Sequence, residues 1–163
     1  FTAVAWLDAG TRNFYTVKKP VKRPEDLRGL KIRVQQSPTN IEMMRLLGGS
    51  ATPMGFGDVY TALQSGVIDG AENNEMALTD NGHGDVCRYY SYDMHQMVPD
   101  LLIGNYGFLE SLTEEERAVF EEGFEELERV QQEEWGKAVE AAREKAEKEQ
   151  KVMFVVLSLN MQT

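Results

Sequence analysis

The chain has 163 residues, of which 42% are hydrophobic and 27% charged, and its formal net charge is −10. This length and apolar content indicate one domain, or one and a fraction, with a real hydrophobic core. The acidic balance argues against nucleic acid or an anionic membrane surface as the main partner. Cys87 is the only cysteine, which excludes an internal disulfide and a thiolate metal cage.

The first part of the chain predicts short strands separated by turns. Thr2–Leu7, with the sequence TAVAWL, is an apolar strand. Residues 10–21 are an extended strand or a loop, because polar and aromatic residues alternate there. RPEDLRG is a turn. Residues 30–34, LKIRV, alternate apolar and basic residues, which indicates a half-buried strand that carries Arg33.

Helix signals alternate with strand signals in the next segment. In SPTNIEMMRLLGG, Thr39 and Glu42 have the spacing of a capping box, and the two glycines end the helix. SATPM is a short strand, GFGDVYTALQSG contains a second helix, and VIDG, residues 67–70, is a very short strand. AENN, residues 71–74, is the polar opening of another short helix. This alternation favours a mixed α/β sheet with helices on its faces.

Two further strands, VCRYYSYDMH and one around PDLLIGNYGFLES, precede a long acidic helix. Thr113 and Glu116 form its capping box, and apolar residues recur at steps of three or four over roughly 35 residues, about 50 Å. Gly123 and Gly136 are positions at which this helix could bend or break. Residues 114–151 contain 14 acidic and 7 basic residues, so most of the net charge belongs to this segment.

Several kinds of catalytic or metal site lack sequence support. His83 and His95 occur without a cysteine pair or an H-E-x-x-H motif, which favours ordinary surface or core histidines over metal ligands. Cys87 lies in an apolar-aromatic strand and is expected to be buried and inert. GFG, residues 55–57, is followed by Tyr60 where a dinucleotide-binding fingerprint needs glycine. We therefore expect no metal, no cofactor and no catalytic nucleophile, and the many acids and asparagines leave only an oxygen-bound hard cation as an alternative.

Arg33 raises the possibility of anion recognition. A guanidinium offers a planar pair of donors that matches a carboxylate, and Arg12 lies in the preceding aromatic segment. Asparagines that follow a strand offer donors and acceptors for hydroxyl groups, and Phe56, beside two glycines, offers a flat apolar wall. The competing interpretation is a structural ion pair between Arg33 and Asp58 or Glu72. Residue spacing alone leaves both interpretations open.

Two functions of other classes compete with binding. A small α/β enzyme would use Asp69, Glu72 and His95, because Asp69 and Glu72 fall at a strand end, where α/β sheets carry their sites. An interaction module would instead be built on the acidic helix, whose charged face is otherwise simply solvated.

Two longer segments, RPEDLRGLKIRVQQSPTN and LGGSATPMGFGDVYTALQSGVIDGAEN, closely resemble the solute-binding proteins of tripartite ATP-independent periplasmic (TRAP) transporters, the DctP-like family. The resemblance covers residues 6–111 well and the acidic helix more loosely, and the run DVYTALQSGVIDGAENN is highly specific. The ligand-binding residues that it implies are Arg33 as ion-pair partner of the ligand carboxylate, Asn73 as its brace, Phe56 as a pocket wall, Arg12 as a second ligand arginine, and Glu72 and Asn74 near the pocket.

The resemblance also implies a fold. Family members consist of two α/β lobes of the type II periplasmic-binding (Venus-flytrap) kind, which close on the ligand, and a long helix crosses both lobes. On this basis residues 1–111 are the second, C-terminal lobe, residues 112–151 are the spanning helix, and residues 152–163 are an atypical tail. The N-terminal lobe is expected to be missing from this chain.

The implied function is capture rather than catalysis. A periplasmic protein of this family would bind an organic acid, with a sugar acid such as a hexuronate favoured, and present it to the TRAP membrane subunits. Without the N-terminal lobe, the chain would bind weakly unless a second chain supplied that lobe. The apolar stripe left uncovered would also favour a homodimer.

Overall fold

The computed structural model describes residues 1–156, and its centre is a six-stranded mixed sheet. The strands are β1 (Thr2–Leu7), β2 (Thr11–Thr16), β3 (Lys31–Val34), β4 (Ser50–Pro53), β5 (Gly70–Asn73), β6 (Tyr89–Met97), β7 (Asp100–Gly104) and β8 (Met153–Val156). The α-helices are α1 (Pro38–Leu46), α2 (Val59–Gln64), α3 (Met76–Thr79), α4 (Tyr106–Ser111) and α5 (Glu114–Lys148). The large sheet has the order β4-β3-β5-β2-β6-β8, and β1 and β7 form a separate two-stranded sheet.

The strand directions decide which ends meet at each edge of the large sheet. β3 is parallel to both of its neighbours, β4 and β5. β2 is antiparallel to β5 on one side and to β6 on the other, and β8 is parallel to β6. The carboxyl ends of β3, β4, β5 and β6 therefore lie at one edge, together with the amino end of β2.

Both faces of this sheet are buried. One apolar cluster includes Tyr15 of β2 and Ala146 of α5, and the other includes Ile32 and Val34 of β3. Successive residues of a strand point to opposite faces, so Arg33 points to the face opposite Ile32 and Val34. The alternation of apolar and basic residues in LKIRV thus sends a guanidinium toward the side that also carries Tyr15.

The long helix α5 contacts both β1 and α3, and it runs for 35 residues. Its predicted capping box is confirmed: Glu116 donates from its backbone N–H to Thr113 Oγ1 at 3.2 Å, and Thr113 donates from its backbone N–H to Glu116 Oε2 at 2.9 Å. Gly123 and Gly136 lie inside the helix and do not end it. Within residues 1–156, none of the helices combines the length and apolar character that crossing a membrane requires.

The prediction of a mixed α/β fold with one long helix is confirmed, but three local predictions are wrong. α1 begins at Pro38, so Thr39 lies inside the helix and Glu42 pairs with Arg45 instead of forming a capping box. The strand expected at VIDG is β5, Gly70–Asn73, so most of AENN is strand and not a polar opening, although the short helix predicted after it is present as α3. In PDLLIGNYGFLES the strand ends at Gly104, and α4 follows it.

The segment after α5 contributes β8 to the sheet. Phe154 of β8 lies opposite Tyr90 of β6, and the two ring centroids are 5.4 Å apart. The predicted atypical tail, residues 152–163, therefore includes a sheet strand. Residues 157–163 of that predicted tail lie outside the described residues.

Candidate functional site

The predicted ligand-binding residues gather at the edge where the strands β3, β4 and β5 end. Arg33 is the third residue of β3, Phe56 follows β4, and Asn73 is the last residue of β5. Arg12 belongs to the same edge because β2 runs in the opposite direction and begins there. In α/β sheets this edge is where ligands bind, since the loops there can be shaped without disturbing the sheet.

Arg33 is buried, with 3% of its surface exposed, and its guanidinium meets only a neutral acceptor. Nε and Nη2 donate to the backbone carbonyl of Met54 at 3.2 and 3.0 Å, and Cζ lies 5.5 Å from the ring centroid of Phe56. Within residues 1–156, no carboxylate forms an ion pair with Arg33. The predicted alternative, a pair with Asp58 or Glu72, is therefore not formed.

A buried guanidinium without a carboxylate is costly. Burial lowers the pKa of Arg33, because water that would solvate the cation is excluded. The group nevertheless stays protonated at neutral pH, as arginine does throughout proteins. An anion that arrives at this edge would supply the missing counter-charge through charge-assisted hydrogen bonds.

Glu72 pairs with Arg12 instead. Glu72 is completely buried, and Arg12 donates to it through Nε at 2.5 Å and through Nη2 at 2.9 Å. Arg12 Nη1 also donates to Asn73 Oδ1 at 3.0 Å, and the same oxygen accepts the backbone N–H of Asn74. Glu72 therefore holds Arg12 in place, and it does not itself face the opening at the sheet edge.

Asn73 and Asn74 differ in what they contact. The Oδ1 atom of Asn73 is occupied by Arg12 and by the next backbone N–H, and its Nδ2 donors have no acceptor within residues 1–156. Asn74 Nδ2 donates to the backbone carbonyl of Ala9 at 3.1 Å. Asn73 thus offers donors at the edge, whereas Asn74 anchors the connection between β1 and β2.

Two residues that the sequence did not assign to binding extend the Arg12–Glu72 pair. His95 Nδ1 lies 2.6 Å from Asp93 Oδ2, His95 Nε2 lies 3.6 Å from Glu72 Oε2, and the imidazole stacks on Phe14 at 4.3 Å. Burial alone would lower the pKa of His95, but the carboxylates of Asp93 and Glu72 outweigh it and raise that pKa to about 9. His95 is therefore a cation at neutral pH.

The same contacts act on Glu72. Burial alone would raise its pKa, but His95 and Arg12 outweigh burial and lower it. Two cations and two carboxylates thus compensate one another in a closed group of four side chains. The sequence carried no direct signal for this group, because β2, β5 and β6 have to pair before its members meet.

Of the three residues proposed for an enzyme, Glu72 and His95 meet, but Asp69 does not join them. Asp69 accepts the backbone N–H of Lys31 at the opposite edge of the sheet, away from Glu72 and His95. Cys87 is buried as predicted, and burial raises the pKa of its thiol to about 12, which makes it unreactive. Among the residues that the structure describes, there is no cluster of three or more histidine, cysteine, aspartate or glutamate side chains suited to a metal ion.

This arrangement defines a class of protein: an α/β lobe whose sheet edge holds a buried arginine beside an aromatic ring, with no carboxylate partner for it in the described part of the chain. The chain belongs to the bacterial extracellular solute-binding protein family 7, DctP, whose sequence model matches residues 1–161. That membership confirms the resemblance found in the sequence. Members of this family are transport proteins that bind solutes outside the cytoplasm, not enzymes.

Individual relatives agree with the family. The uncharacterized protein YiiZ of Salmonella typhimurium is 48% identical over 154 residues, which are 94% of this chain and 47% of that protein. A TRAP periplasmic solute-binding protein of Anaerococcus prevotii, solved with bound D-glucuronate, is 68% identical with a TM-score of 0.87, over 96% of this chain and 50% of that one. A TRAP protein of a Sulfitobacter species, solved with bound β-D-galacturonate, is 32% identical with a TM-score of 0.89, over 96% and 52%. The chain thus spans about half the length of the relatives that it matches.

Proposed function

We propose that this chain is the ligand-binding lobe of a TRAP solute-binding protein, and that it captures a hexuronate or a similar hydroxylated carboxylate through Arg33. The observation that carries the proposal is the buried guanidinium, whose only protein acceptor within residues 1–156 is the carbonyl of Met54. A ligand carboxylate would supply the negative charge and the further hydrogen-bond acceptors that the Arg33 guanidinium lacks. Losing one partner of such a buried charge pair costs on the order of 2–5 kcal/mol.

Each neighbouring side chain has a role that fits such a ligand. Phe56, at 38% exposure, offers its ring to the carbon face of a sugar. Asn73 offers its amide donors to the carboxylate or to a hydroxyl group. Arg12 is the second arginine of the site, Glu72 fixes its orientation, and Asn74 holds the adjoining backbone.

The ligand class rests on the relatives. D-glucuronate and β-D-galacturonate are the ligands named for the Anaerococcus and Sulfitobacter proteins. Both are hexuronates, so each carries one carboxylate on a polyhydroxylated ring. Among organic acids, we infer that this class fits the site best, because the site combines a cation, amide donors and an aromatic wall.

The proposed cellular location, lobe boundaries and partners are those of the family. We infer a periplasmic location, with residues 1–111 as the C-terminal lobe, residues 112–151 as the helix that spans both lobes, and residues 152–163 as a tail whose strand β8 joins the sheet of that lobe. An N-terminal lobe, provided by the same gene product or by a second chain, would close over the ligand. The closed form would then be recognised by the TRAP membrane subunits.

Calorimetric titration tests the role of Arg33. The chain should bind D-glucuronate and D-galacturonate but not D-glucose, which has the same ring without the carboxylate. Arg33→Ala should abolish binding, and Arg33→Lys should retain only part of it, because an ammonium cannot make two parallel bonds. Arg45→Ala is the control, since Arg45 is exposed and pairs with Glu42. Equal binding by wild type and Arg33→Ala would refute the proposal.

A fusion protein tests whether the chain needs an N-terminal lobe for tight binding. The half of the Anaerococcus protein that this chain does not match would be joined to the chain, and affinity for D-glucuronate would be measured in both forms. We expect much tighter binding by the fusion, because closure adds ligand contacts and excludes water. Identical affinity with and without the added half would contradict the two-lobe part of the proposal.

A further inference from the structure

A buried histidine lies behind the aromatic wall of the site. His83 has 1% of its surface exposed, and its ring meets Phe56 in an edge-on contact with centroids 5.5 Å apart. On its other side, His83 Nδ1 is joined to the Tyr15 hydroxyl at 2.8 Å, and Tyr15 is fully buried. A continuous row of contacts therefore runs from the sheet core through His83 to Phe56 and Arg33.

The imidazole in this row is neutral. Burial, and then the charge of Arg33, lower the pKa of His83 to about 4. A neutral imidazole can lie close to a guanidinium without repelling it. Of its two ring nitrogens, Nδ1 is the one that shares a hydrogen bond with the Tyr15 hydroxyl. A lysine or arginine in this place would instead add a second positive charge beside Arg33.

We propose that His83 is a positioning residue for the ligand site, because its imidazole, anchored by Tyr15, sets the orientation of the Phe56 ring over Arg33. Phe56 lies between Gly55 and Gly57 in a single short turn, Phe56–Asp58, and 38% of its surface is exposed. The buried imidazole supports its ring from the core side. His83 does not touch the ligand, so it acts only through Phe56.

The consequence is selectivity for ring-shaped acids. This step rests on the proposed function, in which Phe56 packs against the carbon face of a sugar. A correctly oriented ring would favour a hexuronate over a short acid that reaches Arg33 but not Phe56. Aromatic contacts of this kind contribute about two- to tenfold in affinity.

Binding measurements separate a positioning role from a general structural role. His83→Ala should weaken D-glucuronate binding by about two- to tenfold and leave binding of a short acid such as acetate unchanged. His83→Phe, which keeps a ring at this position, should retain most of the affinity. In a Phe56→Ala background, His83→Ala should have no further effect, because residues that act through one another are not additive. An equal loss in that background would overturn the proposal.

A ligand-independent measurement keeps this proposal distinct from the proposed function. Nuclear Overhauser contacts between the Phe56 ring and the Arg33 side chain, assigned with Phe56→Leu, should be present in the wild type. They should be lost in His83→Ala and weakened in Tyr15→Phe, which keeps the core packing if His83→Ala fails to fold. Unchanged contacts in these variants would refute the role of His83, even if hexuronate binding is confirmed. Intact positioning without hexuronate binding would refute only the ligand assignment.

Discussion

Arg12 and Glu72 form a bidentate ion pair across the neighbouring strands β2 and β5: Nε reaches Oε2 at 2.5 Å, and Nη2 reaches Oε1 at 2.9 Å. The carboxylate of Glu72 has no exposed surface, and Arg12 retains only 11%. Because Glu72 is committed to Arg12, it is not available to Arg33. Within residues 1–156 the Arg33 guanidinium is thus left with only the Met54 carbonyl, which is the condition that the proposed function needs.

Breaking this pair should destabilise the fold. We expect Glu72→Gln to lower the free energy of unfolding by about 3–5 kcal/mol, because Arg12 would remain buried without its counter-charge. The double variant Arg12→Met/Glu72→Leu should lose less than Glu72→Gln, since it removes both charges together. Urea unfolding of each variant measures both effects.

The control for this prediction is an exposed pair of similar geometry. Glu42 and Arg45 are bonded at 2.6 Å on the surface of α1, where solvent screens the interaction. Glu42→Gln should leave the urea midpoint unchanged. If Glu72→Gln also left the urea midpoint unchanged, the buried ion pair would not stabilise the fold.

Because the pKa of His95 is raised, we expect the folded chain to become less stable at alkaline pH. Its pKa is raised from 6.5 to about 9 in the folded chain, so the folded state binds the proton more tightly than the unfolded state. The stabilisation is fully present below the unfolded pKa and is lost as the pH rises through the folded pKa. It amounts to at most about 3 kcal/mol, and thermal unfolding from about pH 6 to about pH 9 would measure the loss.

His95→Gln should flatten this pH profile, because glutamine does not titrate. The comparison with wild type cancels the contributions of other groups, including Cys87. Asp93→Asn should lower the pKa of His95 toward its ordinary value, which a proton NMR titration would show. A pH profile of His95→Gln that matched the wild type would mean that another group controls alkaline stability.

The sequence predicted the orientation of Arg33 on its strand better than it predicted the carboxylate partner of Arg12. Apolar and basic residues alternate in LKIRV, so local periodicity alone places Arg33 opposite Ile32 and Val34 on its strand. The Arg12–Glu72 pair lacks such a local signal, because its partners meet only when β2 lies beside β5 with Phe14 opposite Glu72. Residue spacing therefore left open which arginine would receive a protein carboxylate.

The error at AENN has a related physical cause. A strand interior with a glutamate and an asparagine contradicts the apolar pattern on which strand prediction depends. Arg12, from the neighbouring strand, neutralises Glu72 and occupies Asn73 Oδ1, so the polar strand is stable only in its tertiary setting. The surroundings of His83 and His95 were likewise not predictable from local sequence, because both rings contact residues distant in the chain, Tyr15 and Glu72 respectively.

Gln131 of α5 should stabilise the connection that leads into Arg12. Its side chain accepts the backbone N–H of Asp8 at 2.8 Å and donates to the carbonyl of the same residue at 2.7 Å. We expect Gln131→Ala to lower the free energy of unfolding by about 1–3 kcal/mol, because both backbone groups lose their partner. Gln132→Ala, at an exposed neighbouring position, is the control in urea unfolding. Equal midpoints for the two variants would show that this clamp is unimportant.

The exposed apolar face of β7 and α5 is the remaining source of predictions. Leu102, Phe120 and Leu127 are 37–38% exposed, and they line an open groove of about 430 Å³. Apolar surface of this kind marks a contact site or an aggregation risk. We infer that the N-terminal lobe of the proposed function would cover this face.

When that lobe is not supplied, we expect the face to drive self-association of the chain. Sedimentation velocity should show a concentration-dependent dimer, and a dye that binds apolar surface should fluoresce with the chain. Leu102→Lys should reduce both signals, because a charge in the groove opposes its burial, whereas Ile41→Lys, on α1, should change neither. The fusion with the Anaerococcus half should be monomeric, since its added half occupies the same face. A chain that stayed monomeric at every concentration, with dye binding unaffected by Leu102→Lys, would show that this face needs no partner.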